Sequence, residues 1–134
     1  MPLALEIISP EKLLLARPVD MVVIPGTEGD LGILPEHSKL ITSLRGGVID
    51  LYEGERITDR FFVSGGFAEV TETSCTVLAD AIIRLADLDP RRAAEDLEAA
   101  ERALAATSIE DAEAYRLASD RLIAAQAMVD AAAG

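Results

Sequence analysis

Tryptophan is absent from this chain, and aromatic residues are scarce altogether: three phenylalanines and two tyrosines in 134 residues. A core must therefore be built from valine, isoleucine and leucine, and an aromatic-walled ligand pocket is poorly supplied. Cysteine occurs once, at Cys75, which excludes an internal disulfide and a cysteine-based zinc site and points to a reducing compartment. Cys75 itself reads as a small apolar residue of a strand. His37 is the only histidine, so metal ligation lacks a second imidazole, and neither Ser38 nor Ser64 sits in a nucleophile elbow. No catalytic residue and no metal site are expected.

A basic excess is missing too. The chain has 24 acidic and 12 basic residues, a formal net charge of −12. Before Asp89 the balance is 14 acidic against 7 basic, net −7, and from Asp89 onward 10 against 5, net −5. Neither half offers the basic patch that phosphate neutralisation requires, so nucleic acid is not an expected partner. Long apolar runs are lacking as well. Leu122 to Val129 is about the longest uncharged stretch, far short of the ~20 residues that span a bilayer, so membrane association is expected only through partners. The first twenty residues carry Glu6, Glu11, Lys12, Arg17 and Asp20, which fits neither a secretory nor a transit peptide and suggests a cytoplasmic protein.

What is present is concentrated between Met21 and Thr42. Val22, Val23 and Ile24 form a β-branched run, Pro25-Gly26 breaks it, Glu28-Gly29-Asp30 turns the chain, and Ile33-Leu34 begins a second run ended by Pro35. Three glycines, Gly26, Gly29 and Gly32, suggest backbone at positive φ, with Glu28 and Asp30 on the tip. No Lys-Ser/Thr follows these glycines, so this is not a phosphate loop, and Gly65-Gly66 reads as a tight hairpin turn for the same reason. Further strands are expected at Leu3–Ile8, Lys12–Val19, Lys39–Leu44, Val48–Tyr52, Arg56–Val63, Phe67–Thr71 and Cys75–Ala79. Many short strands separated by turns indicate an antiparallel sandwich or barrel.

Past Leu88 the periodicity becomes helical. Asp89 followed by Pro90 is an N-cap with proline at the first helical position, opening a helix from Pro90 to Ala105. Thr107-Ser108 interrupts it, and Ser108 with Asp111 resembles a capping box that opens a second helix from about Ile109 to Ala132. A short connection makes an antiparallel hairpin the default. The facing stripes are Ala93, Leu97, Ala100 and Leu104 on one helix, and Tyr115, Ala118, Leu122, Ala125 and Val129 on the other. Four of these nine are alanine, and alanine buries little area, so the seam is expected to be weakly pinned. The chain thus divides into a sandwich at 1–88 and a helical hairpin at 89–134, an α+β protein.

Three motifs carry a family resemblance: Ile24 to Pro35 with His37 and Leu40-Ile41-Thr42; Phe62-Val63-Ser64-Gly65-Gly66-Phe67-Ala68-Glu69-Val70; and Thr76-Val77-Leu78-Ala79-Asp80. In order and spacing they resemble the ε subunits of bacterial rotary F-type ATP synthases, over essentially the whole length. That resemblance implies a non-catalytic rotor subunit on the central stalk, on the cytoplasmic face of a bacterial inner membrane. Its implied partners are the γ subunit and the membrane c-ring, and the resemblance allows the hairpin to be a regulatory arm that restrains ATP hydrolysis and reaches the α and β subunits. Against strong inhibition, the second helix has only Arg116 and Arg121 beside Glu110, Asp111, Glu113, Asp120 and Asp130, and the alternative is a tail packed permanently on the sandwich. It also implies that Glu28, Asp30 and His37 project toward the c-ring. Departures from the family pattern are Glu36, where glycine is usual, and Lys39 and Gly46, where proline is usual.

Leu88-Asp89-Pro90-Arg91-Arg92-Ala93 resembles the motif with which some members bind ATP as a regulatory ligand, with Asp89 and Arg92 matching position by position. Ile83 and Ala99 stand where those members carry an acidic residue and an arginine, so any ATP binding is expected to be weak. The competing reading makes Asp89 a helix cap and Arg92 a solvated side chain paired with Glu95 or Asp96. From another class, the rival function is a small sandwich enzyme or ligand-binding module using Glu28, Asp30 and His37.

Overall fold

The computed structural model describes residues 2–133. Ten strands come first: β1 (Leu3–Ile8), β2 (Leu13–Val19), β3 (Met21–Gly26), β4 (Gly29–Ile33), β5 (Leu40–Leu44), β6 (Gly47–Glu53), β7 (Arg56–Val63), β8 (Gly66–Val70), β9 (Ser74–Ala79) and β10 (Ile82–Arg84). A 3-10 turn at Leu85–Asp87 leads to α1 (Pro90–Ala105) and α2 (Ala112–Ala133). The strands hydrogen-bond in the order β10-β7-β6-β3-β5-β8-β9-β1-β2, with β4 attached to β3. β3 and β5 share only the pair Gly26 and Leu44, and at this joint the sheet folds back on itself to make the two layers of a sandwich. Its far ends are tied where Arg17 of β2 pairs with Asp59 of β7 and donates to Thr58 Oγ1 at 3.0 Å.

All strand pairs are antiparallel except β1 with β9, which run parallel with Leu5 beside Cys75. The sandwich is antiparallel as expected, with this one parallel pair as the exception. The two strands are far apart in sequence, so no tight turn dictates their relative direction, and a long connection permits either.

Alternation decides what each strand buries. Leu3, Leu5 and Ile7 of β1 are sealed while Ala4 and Glu6 face water, as a strand with one wet face requires. The core gathers Val22 and Ile24 of β3, Ile33 of β4, Ile49 and Leu51 of β6, Phe61 and Val63 of β7, and Cys75 and Val77 of β9. Cys75 packs there as a small apolar residue, and burial pushes its thiol up to about 11, so it is neutral and inert at physiological pH. Phe62 is fully buried as well but lies outside that cluster. It points from the opposite face of β7.

Asp89 caps α1 by accepting from Arg91 N–H at 3.0 Å, with Pro90 at its start. The second helix begins three residues later than the sequence suggests. Ser108 Oγ accepts from Glu110 N–H at 3.2 Å in a local turn, whereas Asp111 Oδ1 accepts from Ala114 N–H at 3.2 Å and is the N-cap of α2. The short aspartate reaches its own third following amide, which leaves Ser108 outside the helix. α1 packs chiefly on α2, and α2 packs on β6.

Candidate functional site

The charged tip is the hairpin between β3 and β4. Pro25 pairs with Asp30 and Gly26 with Gly29, so the loop is the two residues Thr27 and Glu28, and Gly29 and Asp30 already belong to a strand. This corrects the expected Glu28-Gly29-Asp30 turn. Of the three glycines only Gly29 has positive φ, at 139°. Gly26 is needed for a different reason: a Cβ there would sit 2.7 Å from Gly29 O. Gly32 has room, its nearest neighbour being Met21 Sδ at 3.7 Å. Arg45 fixes the tip by pairing with Asp30 at 2.6 Å and donating to Gly26 O at 2.7 Å. Glu28 is exposed.

His37 lies elsewhere. Its loop is anchored by Glu36, whose N–H donates to Glu72 O at 2.7 Å with φ at 69°. His37 Nδ1–H donates to Ser38 O at 2.7 Å, which satisfies one ring nitrogen locally. Glu72 sits in the β8–β9 turn, beside the Leu40 end of β5, because Leu40 pairs with Val70. Arg45 follows the other end of β5. Glu28 and Asp30 are therefore held at one end of that strand and His37 at the other, and the three do not converge on one ligand. A pocket built from Glu28, Asp30 and His37 is not formed, which removes the geometric basis of the rival enzyme or ligand-binding reading.

Gly65 and Gly66 adopt φ of 147° and 130°, and a Cβ on Gly66 would lie 2.1 Å from Leu78 O. They join β7 to β8 as a tight turn with β9 packed against it. Asp89 is occupied as the α1 cap. Arg92 is exposed, and Glu95 pairs with Arg91 at 3.4 Å rather than with Arg92. Ile83 sits on β10 opposite Phe62, and Ala99 is half-buried on α1.

The largest feature that sequence reasoning missed is an apolar row on the wet face of the layer β5-β8-β9-β1-β2. Register places Ser43 beside Phe67, Phe67 beside Leu78, Leu78 beside Ile8, and Ile8 beside Leu13. Phe67 is 45% exposed and Leu13 51%, with Leu14 exposed next to it in the irregular β1–β2 pairing. Ile41, one row away, is 72% exposed. α2 covers β6 in the other layer, so the hairpin leaves this row open. Phe67 and Leu13 are the exposed ends of the row, with Leu78 and Ile8 half-buried between them, and an apolar strip rimmed by charge, here Glu6 and Glu69, marks a contact surface. The available signal was Phe67 itself, a large aromatic out of phase with the buried Ala68 and Val70.

A two-layer sandwich followed by a helical hairpin, with an apolar row open on one layer, is the architecture of a docking subunit. Comparison with known proteins agrees. The model of the ATP synthase delta/epsilon chain β-sandwich domain matches residues 2–85. The ATP synthase epsilon chain of Granulibacter bethesdensis is 50% identical over 129 residues, covering 96% of each chain, and that of Gluconacetobacter diazotrophicus is 43% identical over 134 residues, covering 100% of this chain and 95% of its own. Among solved structures, a chain of the Euglena gracilis mitochondrial ATP synthase (OSCP, F1 and c-ring) superposes with a TM-score of 0.80 at 22% identity, over 97% of this chain and 81% of that one, a likeness of fold. The chain belongs to the ATP synthase delta/epsilon family, as one of its epsilon chains. It is a non-catalytic subunit of that multi-subunit machine.

Proposed function

We propose that this subunit works in the rotor as an adaptor, with the open apolar row of Phe67, Leu78, Ile8 and Leu13 seated on the γ subunit and the Glu28/Asp30 tip and His37 turned to the polar loops of the c-ring. The row carries the reading. An acidic subunit of net charge −12 that leaves such a face uncovered gains affinity by burying it against a partner. Polar tips of the Asp30 kind set register more than affinity, which suits transmission of torque between ring and stalk. On this reading the protein sits peripherally at the cytoplasmic face of a bacterial inner membrane, residues 89–134 form an arm that restrains ATP hydrolysis, and the α and β subunits are met only through that arm. Among the described residues no helix is long and apolar enough to cross a membrane.

Asp89 and Arg92 are proposed as a weak ATP site at best, no tighter than about millimolar, since the carboxylate of Asp89 already caps α1. Calorimetry giving micromolar binding that is lost in Arg92→Ala would overturn that. The docking reading is tested by binding to purified γ. Phe67→Asp with Leu13→Asp, both exposed and therefore tolerable to the fold, should abolish γ binding, whereas a chain ending at Leu88 should keep it. Retained binding in the double variant with an unchanged circular dichroism spectrum would sink the assignment. Asp30→Ala with His37→Ala should weaken ATP-driven proton pumping in reconstituted membranes, and unchanged pumping would remove the tip from the coupling path.

A further inference from the structure

No side-chain hydrogen bond or ion pair among the described residues ties the hairpin to the sandwich. Among the described residues, the side-chain hydrogen bonds and ion pairs of residues 89–133 all stay within the hairpin: Arg91 with Glu95, Thr107 with Ala103 O, Arg116 with Glu113 and Asp120, Gln126 with Asp130. The three arginines around the docking face are each engaged by a carboxylate of the sandwich: Arg45 by Asp30, Arg60 by Asp50, Arg84 by Asp59. Separating the two parts breaks no such bond, although Asp130 of α2 shares a groove with Arg45 and Arg60.

What holds α2 down is a close approach. Gly46, in the turn between β5 and β6, meets α2 so tightly that a Cβ on it would lie 3.1 Å from Ala124 Cα and 3.3 Å from Ala127 Cβ. Gly46 does not have a positive φ, so its lack of a side chain serves the contact and not the turn. To one side of this contact runs a groove of about 530 Å³ lined by Val48, Arg60, Leu85, Ile123 and Asp130. A second, of about 600 Å³, lies between Ile57, Arg84 and the Ala131-Ala132 end of α2. The seat is thus narrow and flanked by unfilled space, where apolar contact is forfeited.

We propose that docking of the hairpin is gated sterically at Gly46: α2 stays down because positions 46, 124 and 127 carry no side chain larger than a methyl group, and it is released by bulk at that seat and not by charge. This rests on the reading of residues 89–134 as an arm that can leave the sandwich, and it specifies the contact that holds the arm in its docked position.

The test uses the full chain and reads amide hydrogen exchange by segment, with small-angle scattering for shape. Gly46→Leu should speed exchange in residues 120–131 by roughly tenfold or more and extend the particle, with exchange in Met21–Gly26 and the helix content unchanged. Ala127→Leu presents the same bulk from the helix side, where leucine is a good helix former, and should reproduce the effect. Raising salt from about 0.05 to 1 M, which screens exposed charge, should change exchange in 120–131 less than about twofold. Unchanged exchange and shape in both variants overturns the proposal, as does release by salt. Should Gly46→Leu disturb the strands, Ala127→Leu alone decides. If the variants release the arm while ATP hydrolysis by the assembled synthase is unaltered, the gate stands and the restraining role of the arm fails.

Discussion

In the sandwich, Leu3, Ile7, Val22, Ile24, Ile49, Leu51 and Val77 are completely sealed from water, whereas among the described residues of the hairpin only Ala93, Ala100 and Ala125 are buried. The nine stripe residues all turn inward to some degree, but Leu97, Leu104, Tyr115, Leu122 and Val129 are only half-buried. At about 25 cal/mol per Å² the force is the same in both regions and the quantity differs. A densely packed sandwich and a thinly packed hairpin follow from composition: β-branched and leucine residues where strands alternate, alanine where helices face each other. Helix propensity keeps the hairpin helical without requiring that it stay in place.

The comparison breaks if equal truncations cost the same in both regions. Leu5→Ala empties a site in the sandwich that is 1% exposed and should cost about 2–5 kcal/mol, measured by chemical denaturation. Leu97→Ala in the half-buried seam should cost less than half as much and should speed exchange within 90–133 while leaving the strands protected. Equal losses, or a single cooperative unit by exchange, would make the hairpin part of the core.

Both boundaries of β1, β7 and α1 were legible from the chain, because each is set locally: strict alternation from Leu3, a turn at Glu53-Gly54, and the Asp89-Pro90 cap. The parallel pairing of β1 with β9, strand β10 and the 3-10 turn were not, since the first joins strands distant in sequence and the other two are segments of only three residues. The candidate site divides in the same way. The acidic tip with Asp30 is a local hairpin and was readable. That His37 is carried to the far end of β5, and that Phe67, Leu78, Ile8 and Leu13 line up across four strands, are consequences of register, which no single segment encodes.

A smaller effect distinguishes how the sandwich is closed. Asp59 joins Arg17 of β2 to Arg84 of β10, and the hydrogen bond from Arg17, with help from Arg84, lowers its carboxyl below the ordinary value despite the opposing cost of burial. A depressed folded-state value means stability that is fully present above the unfolded carboxylate range and is lost as pH falls through the folded value. We expect the parent to lose stability on acidification from about pH 5 downward more steeply than Asp59→Asn, and the two curves to converge at the acid end. Parallel curves would show that the Arg17–Asp59–Arg84 closure contributes nothing specific, and that apolar packing alone joins the sheet ends. Arg84 also lies 5.1 Å from the Phe61 ring centroid, a contact the asparagine variant retains, so only the charge is tested.

The smallest expected effect concerns Glu36, the one non-glycine residue among those described with positive φ, at 69°. Holding an L-residue in this left-handed region costs about 1–2 kcal/mol, and the Glu36 side chain is exposed and enters none of the side-chain hydrogen bonds or ion pairs among the described residues. Glycine relieves the strain but gives the unfolded chain more freedom to lose on folding, which returns part of the gain. Glu36→Gly should therefore raise stability by about 0.5–1 kcal/mol, visible as a shift in the denaturation midpoint with an unchanged slope. Because the Glu36 N–H bond to Glu72 O involves only backbone, it survives the substitution, so a loss of stability would mean that the glutamate side chain itself holds the His37 loop against the β8–β9 turn.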